Sequence, residues 1–194
     1  MYKTKQKGFT LIEIVGVMAV IAIIASIAAP RIFGAIQDAK VTALVGQAKT
    51  LGVTATSFYN DTGKWPVHDP KSTDDKRQQL MVNKGGNGQP IIGWDGPYLD
   101  QEISNIISPS ANHILTPTST PTYTCDLDGN GTSDGSFLVY YVHGISDTIA
   151  RKASNILDKD GNEETGDTSW KKAGRVKRYN GDNTSILVFC LGRI

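Results

Sequence analysis

Hydrophobic and polar positions divide the chain into stretches of different period. Residues 9–29 form an apolar run of 21 residues in which Glu13 is the only ionisable side chain. That length is enough to cross a hydrocarbon core of about 30 Å as a helix. Beyond Pro30 the apolar positions thin to a stripe of Ile36, Ala43, Leu44, Leu51, Ala55 and Phe58, with Gln37, Asp38, Lys40, Gln47 and Lys49 mostly off it. This spacing predicts an amphipathic helix that lays one face on a globular head. Helix over residues 9–59 would run about 75 Å. Pro30, which lacks an N–H, predicts a bend or break, and Gly16 is a lesser weak point. Asn60-Asp61-Thr62-Gly63 ends the helix with turn formers and a C-terminal glycine. A short helix is expected over residues 73–82, before the turn-rich Gly85-Gly86-Asn87-Gly88.

The carboxyl half reads as antiparallel β. Residues 137–142, FLVYYV, are the β-branched and aromatic run of a strand. Residues 174–179 alternate basic with other side chains and lead into Asn180-Gly181-Asp182-Asn183, a strong turn signal. Residues 185–191 are nearly all apolar, which predicts a central strand covered on both faces. The expected fold class is α+β: a long N-terminal helix, transmembrane then amphipathic, packed on an antiparallel sheet.

Charge narrows the function. With 20 basic against 19 acidic residues the net charge is +1, which provides no footprint for a dedicated nucleic-acid site. The first eight residues carry Lys3, Lys5 and Lys7 ahead of the apolar run, an arrangement that keeps this end cytoplasmic. An ordinary secretory signal accounts for the basic and apolar regions and for the small residues Ser26 and Ala28. Pro30 behind that site and Glu13 inside the run count against it. A permanent anchor also leaves Glu13 without a purpose, and an ionisable group inside a membrane segment is costly.

A third reading gives Glu13 a role. Gly8-Phe9-Thr10-Leu11-Ile12-Glu13, behind a short basic leader and ahead of the apolar run, resembles the class III signal of type IV pilins and related pseudopilins. The resemblance implies that a prepilin peptidase cuts after Gly8 and methylates the new amino group of Phe9. It implies the segments 1–8 leader, 9–30 transmembrane and polymerisation helix, 31–59 amphipathic helix and 60–194 β-rich head. Glu13 would lie one turn from the Phe9 amine. Between subunits, that carboxylate would accept the amine of a newcomer and set the axial register, since an unpaired buried charge costs several kcal/mol. The implied partners are further copies of the chain, the peptidase, the membrane before assembly, and an inner-membrane platform with its ATPase. The implied localisation is the bacterial inner membrane, then an extracellular or periplasmic filament.

A second resemblance lies in Tyr59-x-Asp61-x-Gly63-x-Trp65-Pro66 and Trp94-x-Gly96-Pro97-Tyr98-Leu99, which look like the major pseudopilin of type II secretion and some pilins. The length and the cysteine pair look more like a pilin. The preferred function is therefore a structural subunit of a type IV pilus-like filament serving adhesion, twitching or DNA uptake, with a secretion pseudopilin as the alternative. Trp65 and Trp94 read as core anchors.

Cys125 and Cys190 lie far from any metal-binding spacing. Export to an oxidising compartment favours a disulfide between them over two buried thiols, and in type IV pilins a bond of this sort closes an exposed carboxyl-terminal region. Immediately after Cys125, oxygen donors recur at Asp126, Asp128, Asn130, Thr132 and Asp134, the odd positions of a calcium loop, although Phe137 stands where an EF-hand has Glu. A weaker echo offers Asp158, Asp160, Asn162 and Glu164. The first loop is equally well an Asx-rich turn without an ion, and for the second that plain turn is the preferred reading. His68, His113 and His143 are far apart in sequence and no GxSxG, HExxH or P-loop occurs, so no enzyme is expected. A membrane-anchored ligand-binding or enzymatic head is the alternative from another class.

Overall fold

In a computed structural model the described residues are 8–69, 72–74, 77–102, 112–120, 123–128, 132–158, 174–181 and 184–194. The chain divides into two compact units, Met1–Ala39 and Lys40–Ile194.

One helix, α1 (Leu11–Thr62), runs through both. In the first unit its apolar side chains face outward: Leu11, Ile12, Met18, Ile24 and Phe33 are all exposed. It is the one described helix long and apolar enough to cross a bilayer. The expected break at Pro30 does not occur. A proline deep in a long helix removes one hydrogen bond, and the turns on either side carry the helix across that gap. The end of α1 is as expected. Gly63 lies at φ +68° and donates to the Tyr59 carbonyl at 2.8 Å. Only glycine takes that conformation without cost.

In the second unit α1 buries Val41, Leu44, Val45, Ala48, Leu51, Ala55 and Phe58. The stripe thus differs from the one read in sequence, because Ile36 and Ala43 are exposed and Val41, Val45 and Ala48 replace them. A straight row at i, i+3, i+4 and i+7 is what a sheet can cover, and Ala43 lies off it.

The sheet has four antiparallel strands: β1 (His113–Thr118), β2 (Phe137–His143), β3 (Val176–Gly181) and β4 (Thr184–Arg193). Their spatial order is β1-β2-β4-β3. Helix α2 (Asp147–Asp158) follows β2. Alternation sorts the side chains into two layers. Leu138, Tyr140, Val142, Leu187 and Phe189 join the α1 stripe in the main core. Phe137, Val139, Ile186, Val188 and Cys190 form a second cluster on the opposite face, with Cys125 and Tyr123. Burial on both faces explains why residues 185–191 read as continuously apolar.

Three elements depart from the sequence reading. β1 and α2 were not foreseen. The helix expected over 73–82 is replaced by an arm folded back on itself. Asp69 N–H donates to the Arg77 carbonyl and Gln79 N–H to that of Val67, so these donors bond across the arm rather than along a helix. The same arm is paired to β1, where His68 and Leu115 exchange both backbone bonds at 2.9 Å.

Candidate functional site

The amino-terminal site is built around a helix start. Thr10 precedes α1 and Glu13 is its third residue. The Glu13 carboxylate accepts the Thr10 N–H and the Thr10 hydroxyl, each at 2.8 Å, and Glu13 N–H donates back to the Thr10 oxygen at 3.4 Å. This reciprocal capping box satisfies donors that a helix N-terminus leaves open and places a negative charge at the positive end of the helix dipole. Gly8 and Phe9 lie just outside the helix, and Phe9 is 84% exposed. The sequence reading missed the role of Thr10, although Thr-x-x-Glu ahead of an apolar run is its signature.

At the other end of α1 the Tyr59–Pro66 and Trp94–Leu99 motifs meet, in the segment between α1 and β1 that we call the αβ-loop. Tyr98 hydroxyl donates to the Asp61 carboxylate at 2.7 Å and accepts Asp95 N–H at 3.0 Å. Tyr98 packs edge-on against Phe58 and Trp94, and Tyr59 stacks on Trp65 at 4.5 Å. Trp94 donates its indole N–H to the Gln79 carbonyl. Both tryptophans are half-buried against the main core, as anchors. Gly96 fits between the Trp94 and Tyr98 rings, where any Cβ would clash.

Cys125 and Cys190 form a disulfide that joins β4 to the loop covering the outer face of the sheet. In that loop the carboxylates of Asp126, Asp128 and Asp134 converge, with ligand oxygens within 4.8 Å of one another. Asp126 is buried, Asp134 is half-buried and Asp128 is exposed. Backbone bonds shape the loop: Asp134 N–H donates to the Cys125 carbonyl and Leu127 N–H to the Asp134 carboxylate. Thr132 is an exposed member of the same loop, and Asn130 lies outside the described residues. Lys177 on β3 completes the surroundings, with its ammonium 3.3 Å from the Thr124 carbonyl. Burial lowers its pKa, and the nearby Asp126 charge opposes that shift. Sequence spacing gave no hint of this lysine, which lies some 50 residues away.

The weaker acidic echo behaves differently. Asp158 ends α2, and its two oxygens accept the N–H groups of Arg175 and Val176 at 2.8 and 3.1 Å, pinning the start of β3. Asp160, Asn162 and Glu164 lie outside the described residues.

The histidines are not all apart. His68 and His113, both nearly fully buried, come close enough to repel if charged. Neither ring nitrogen of His68 has a hydrogen-bond partner among the described residues, and burial pushes its pKa down to about 4.

Comparison with known proteins identifies the family. The model of a family described as "Prokaryotic N-terminal methylation motif" matches residues 3–29. The type II secretion system core protein G of Pseudomonas aeruginosa is 31% identical over 111 residues, covering 50% of this chain and 75% of that protein. The chain belongs to the type IV pilin and type II secretion pseudopilin family. A type IV major pilin protein PilE1 of Neisseria gonorrhoeae is 42% identical over 110 residues, covering 52% of this chain and 59% of the pilin. A fimbrial protein of Neisseria meningitidis is 35% identical over 109 residues, covering 52% and 62% respectively. The chain thus spans about three fifths of those two relatives' length. No solved structure matches it. The matched residues 3–29 include the start of α1 with Glu13 and most of its exposed apolar stretch.

Proposed function

We propose that this protein is the structural subunit of a type IV pilus-like filament. The observation that carries the reading is the first unit of α1: an apolar helix with exposed side chains, opened by one carboxylate. In water that surface would aggregate, and in a bilayer it is solvated; in a bundle of identical helices it is buried, which releases about 25 cal/mol per Å² relative to water. Prepilin peptidase cuts between Gly8 and Phe9 and methylates the Phe9 amine, removing three lysines. The amine of one subunit then meets Glu13 of another, so charge pairing sets the register while apolar packing supplies adhesion. The platform and its ATPase extract subunits from the inner membrane into the filament.

Intact-mass measurement of the purified protein tests the processing: the chain should begin at Phe9 with one added methyl. A chain beginning near Ala29 would overturn it. Electron microscopy of cells with and without the gene tests the assembly, and surface fibres should vanish with it. A pseudopilus is the second reading, favoured by the 75% coverage of core protein G. It predicts lost protein export with no loss of surface fibres.

We further propose that the Asp126, Asp128 and Asp134 cluster holds calcium, with Thr132 and Asn130 adding oxygens. Calcium takes six to eight hard oxygen ligands, and three converging carboxylates repel one another unless a cation lies among them. The Asp158 loop is the weaker proposal of the same kind, because Asp158 already serves two backbone donors.

A further inference from the structure

A cleft of ≈ 520 Å³ opens on the outer face of the sheet, opposite α1. Its base is β1 and β2, where Ile114 and Tyr141 are register partners and Thr116 shares their face. Its wall is the folded-back arm, which contributes Asp69, Asp74, Arg77 and Gln79. The paired backbone bonds between His68 and Leu115 fix that wall to β1.

The polar groups of the cleft are mixed in sign and kind. The Asp69 carboxylate is only 7% exposed and contacts the Arg77 guanidinium at 3.6 Å. The Arg77 side chain, whose guanidinium carries five N–H donors, is 60% exposed. Tyr141 stacks on Tyr123 at 5.7 Å, which holds the phenol in place. Its hydroxyl makes no hydrogen bond among the described residues and lies within electrostatic reach of Asp69 and Arg77. Burial raises its pKa, so it stays a neutral donor and acceptor.

Charge selects the ligand class. Two carboxylates disfavour an anion, and Arg77 disfavours a simple cation. A neutral ligand rich in hydroxyls meets donors and acceptors together. Ile114 and Val67 give the C–H face of a ring an apolar seat. The volume suits one or two such rings. We propose that this cleft binds a neutral sugar ring, a hexopyranose presented singly or at the end of a glycan.

The test uses the full chain in an amine-oxide detergent, since alkyl glycosides would themselves offer sugar. Saturation-transfer NMR would be recorded with methyl galactoside, methyl glucoside and N-acetylglucosamine, with spermidine and inorganic phosphate as charged comparators. At least one sugar should bind saturably in the millimolar range. Tyr141→Phe and Thr116→Val should each weaken it about fivefold, the loss of one neutral hydrogen bond, without lowering the melting temperature. Asp69→Asn should weaken it at least tenfold, and Tyr141→Phe keeps the test valid if that variant unfolds. No saturable sugar, binding of a charged comparator alone, or parental affinity in Tyr141→Phe would each overturn the proposal.

Discussion

Thr10 and Glu13 cap one another: the glutamate carboxylate takes both the backbone and the hydroxyl proton of Thr10 at 2.8 Å. Glu13 therefore has local work within its own chain besides any work between chains. A glutamine in its place keeps the cap and loses the charge, which separates the two roles.

Glu13→Gln and Glu13→Ala should both be inserted and processed, because removing a charge eases insertion. Both should yield at least tenfold fewer filaments, since the incoming Phe9 amine then lacks its counter-charge. Quantitative immunoblots of sheared filaments measure this. Parental yield from Glu13→Gln would assign the cap, rather than the charge, to assembly.

Gly93 lies at φ +82°, and a Cβ there would be 2.2 Å from the Asp61 carbonyl oxygen. The αβ-loop thus touches the end of α1 where no side chain fits. Gly93→Ala should cost about 2–4 kcal/mol from strain and steric overlap. In a domain of this size that lowers the melting temperature by roughly 5–15 °C. Tyr98→Phe removes both the bond to Asp61 and the acceptor of the Asp95 N–H, and should cost about 1–2 kcal/mol.

Acid should loosen the head through His68. Its folded pKa of about 4 lies below the ordinary 6.5, so the folded state keeps it neutral while the unfolded chain takes up a proton. The stability it contributes is complete above pH 6.5 and is lost as pH falls from 6.5 toward 4, by about 3 kcal/mol. Asp69 and His113 both face it, acting in opposite directions. Urea unfolding at pH 7 and pH 4.5 should show this loss in the parent. In His68→Phe the difference between the two pH values should shrink by most of that amount.

Calcium should raise the melting temperature of the full chain in detergent relative to chelator. A hundredfold excess over Kd stabilises by about 2.7 kcal/mol. The Asp126→Asn/Asp128→Asn variant should lose the response. Lys177→Met should bind calcium more tightly, because its ammonium lies near Asp126 and competes with the ion. Equal melting with calcium and chelator would reduce the loop to a turn.

What could be read in advance followed local physics. The apolar run, the Gly63 stop and strands β2, β3 and β4 were legible because periodicity and turn chemistry act over a few residues. The disulfide was legible because the sequence has only two cysteines and the expected compartment is an oxidising one. β1 was not, since HILTPT has a proline and two threonines, and Leu115 alone among them is a fully buried large apolar side chain. α2 was overlooked in the sequence although Ile149, Ala150, Ala153 and Leu157 recur at helical spacing and pack in or on the main core; at 12 residues its pattern covers only three turns. At the sites, the three carboxylates of the acidic loop were visible as spacing. Lys177 beside them, and the approach of His68 to His113, are products of tertiary folding that no local pattern encodes.

The order of the strands has a temporal consequence. β3 and β2 never touch; β4 joins them, pairing with both. Until β4 docks there is a two-stranded ribbon and a separate strand, neither stable alone in water. Cys190 rides on that joining strand, and its bond to Cys125 ties β4 to the loop on the outer face of the sheet. The bond is a latch on the one strand that holds the other two parts together: with it closed, the head cannot come apart by losing β4 alone.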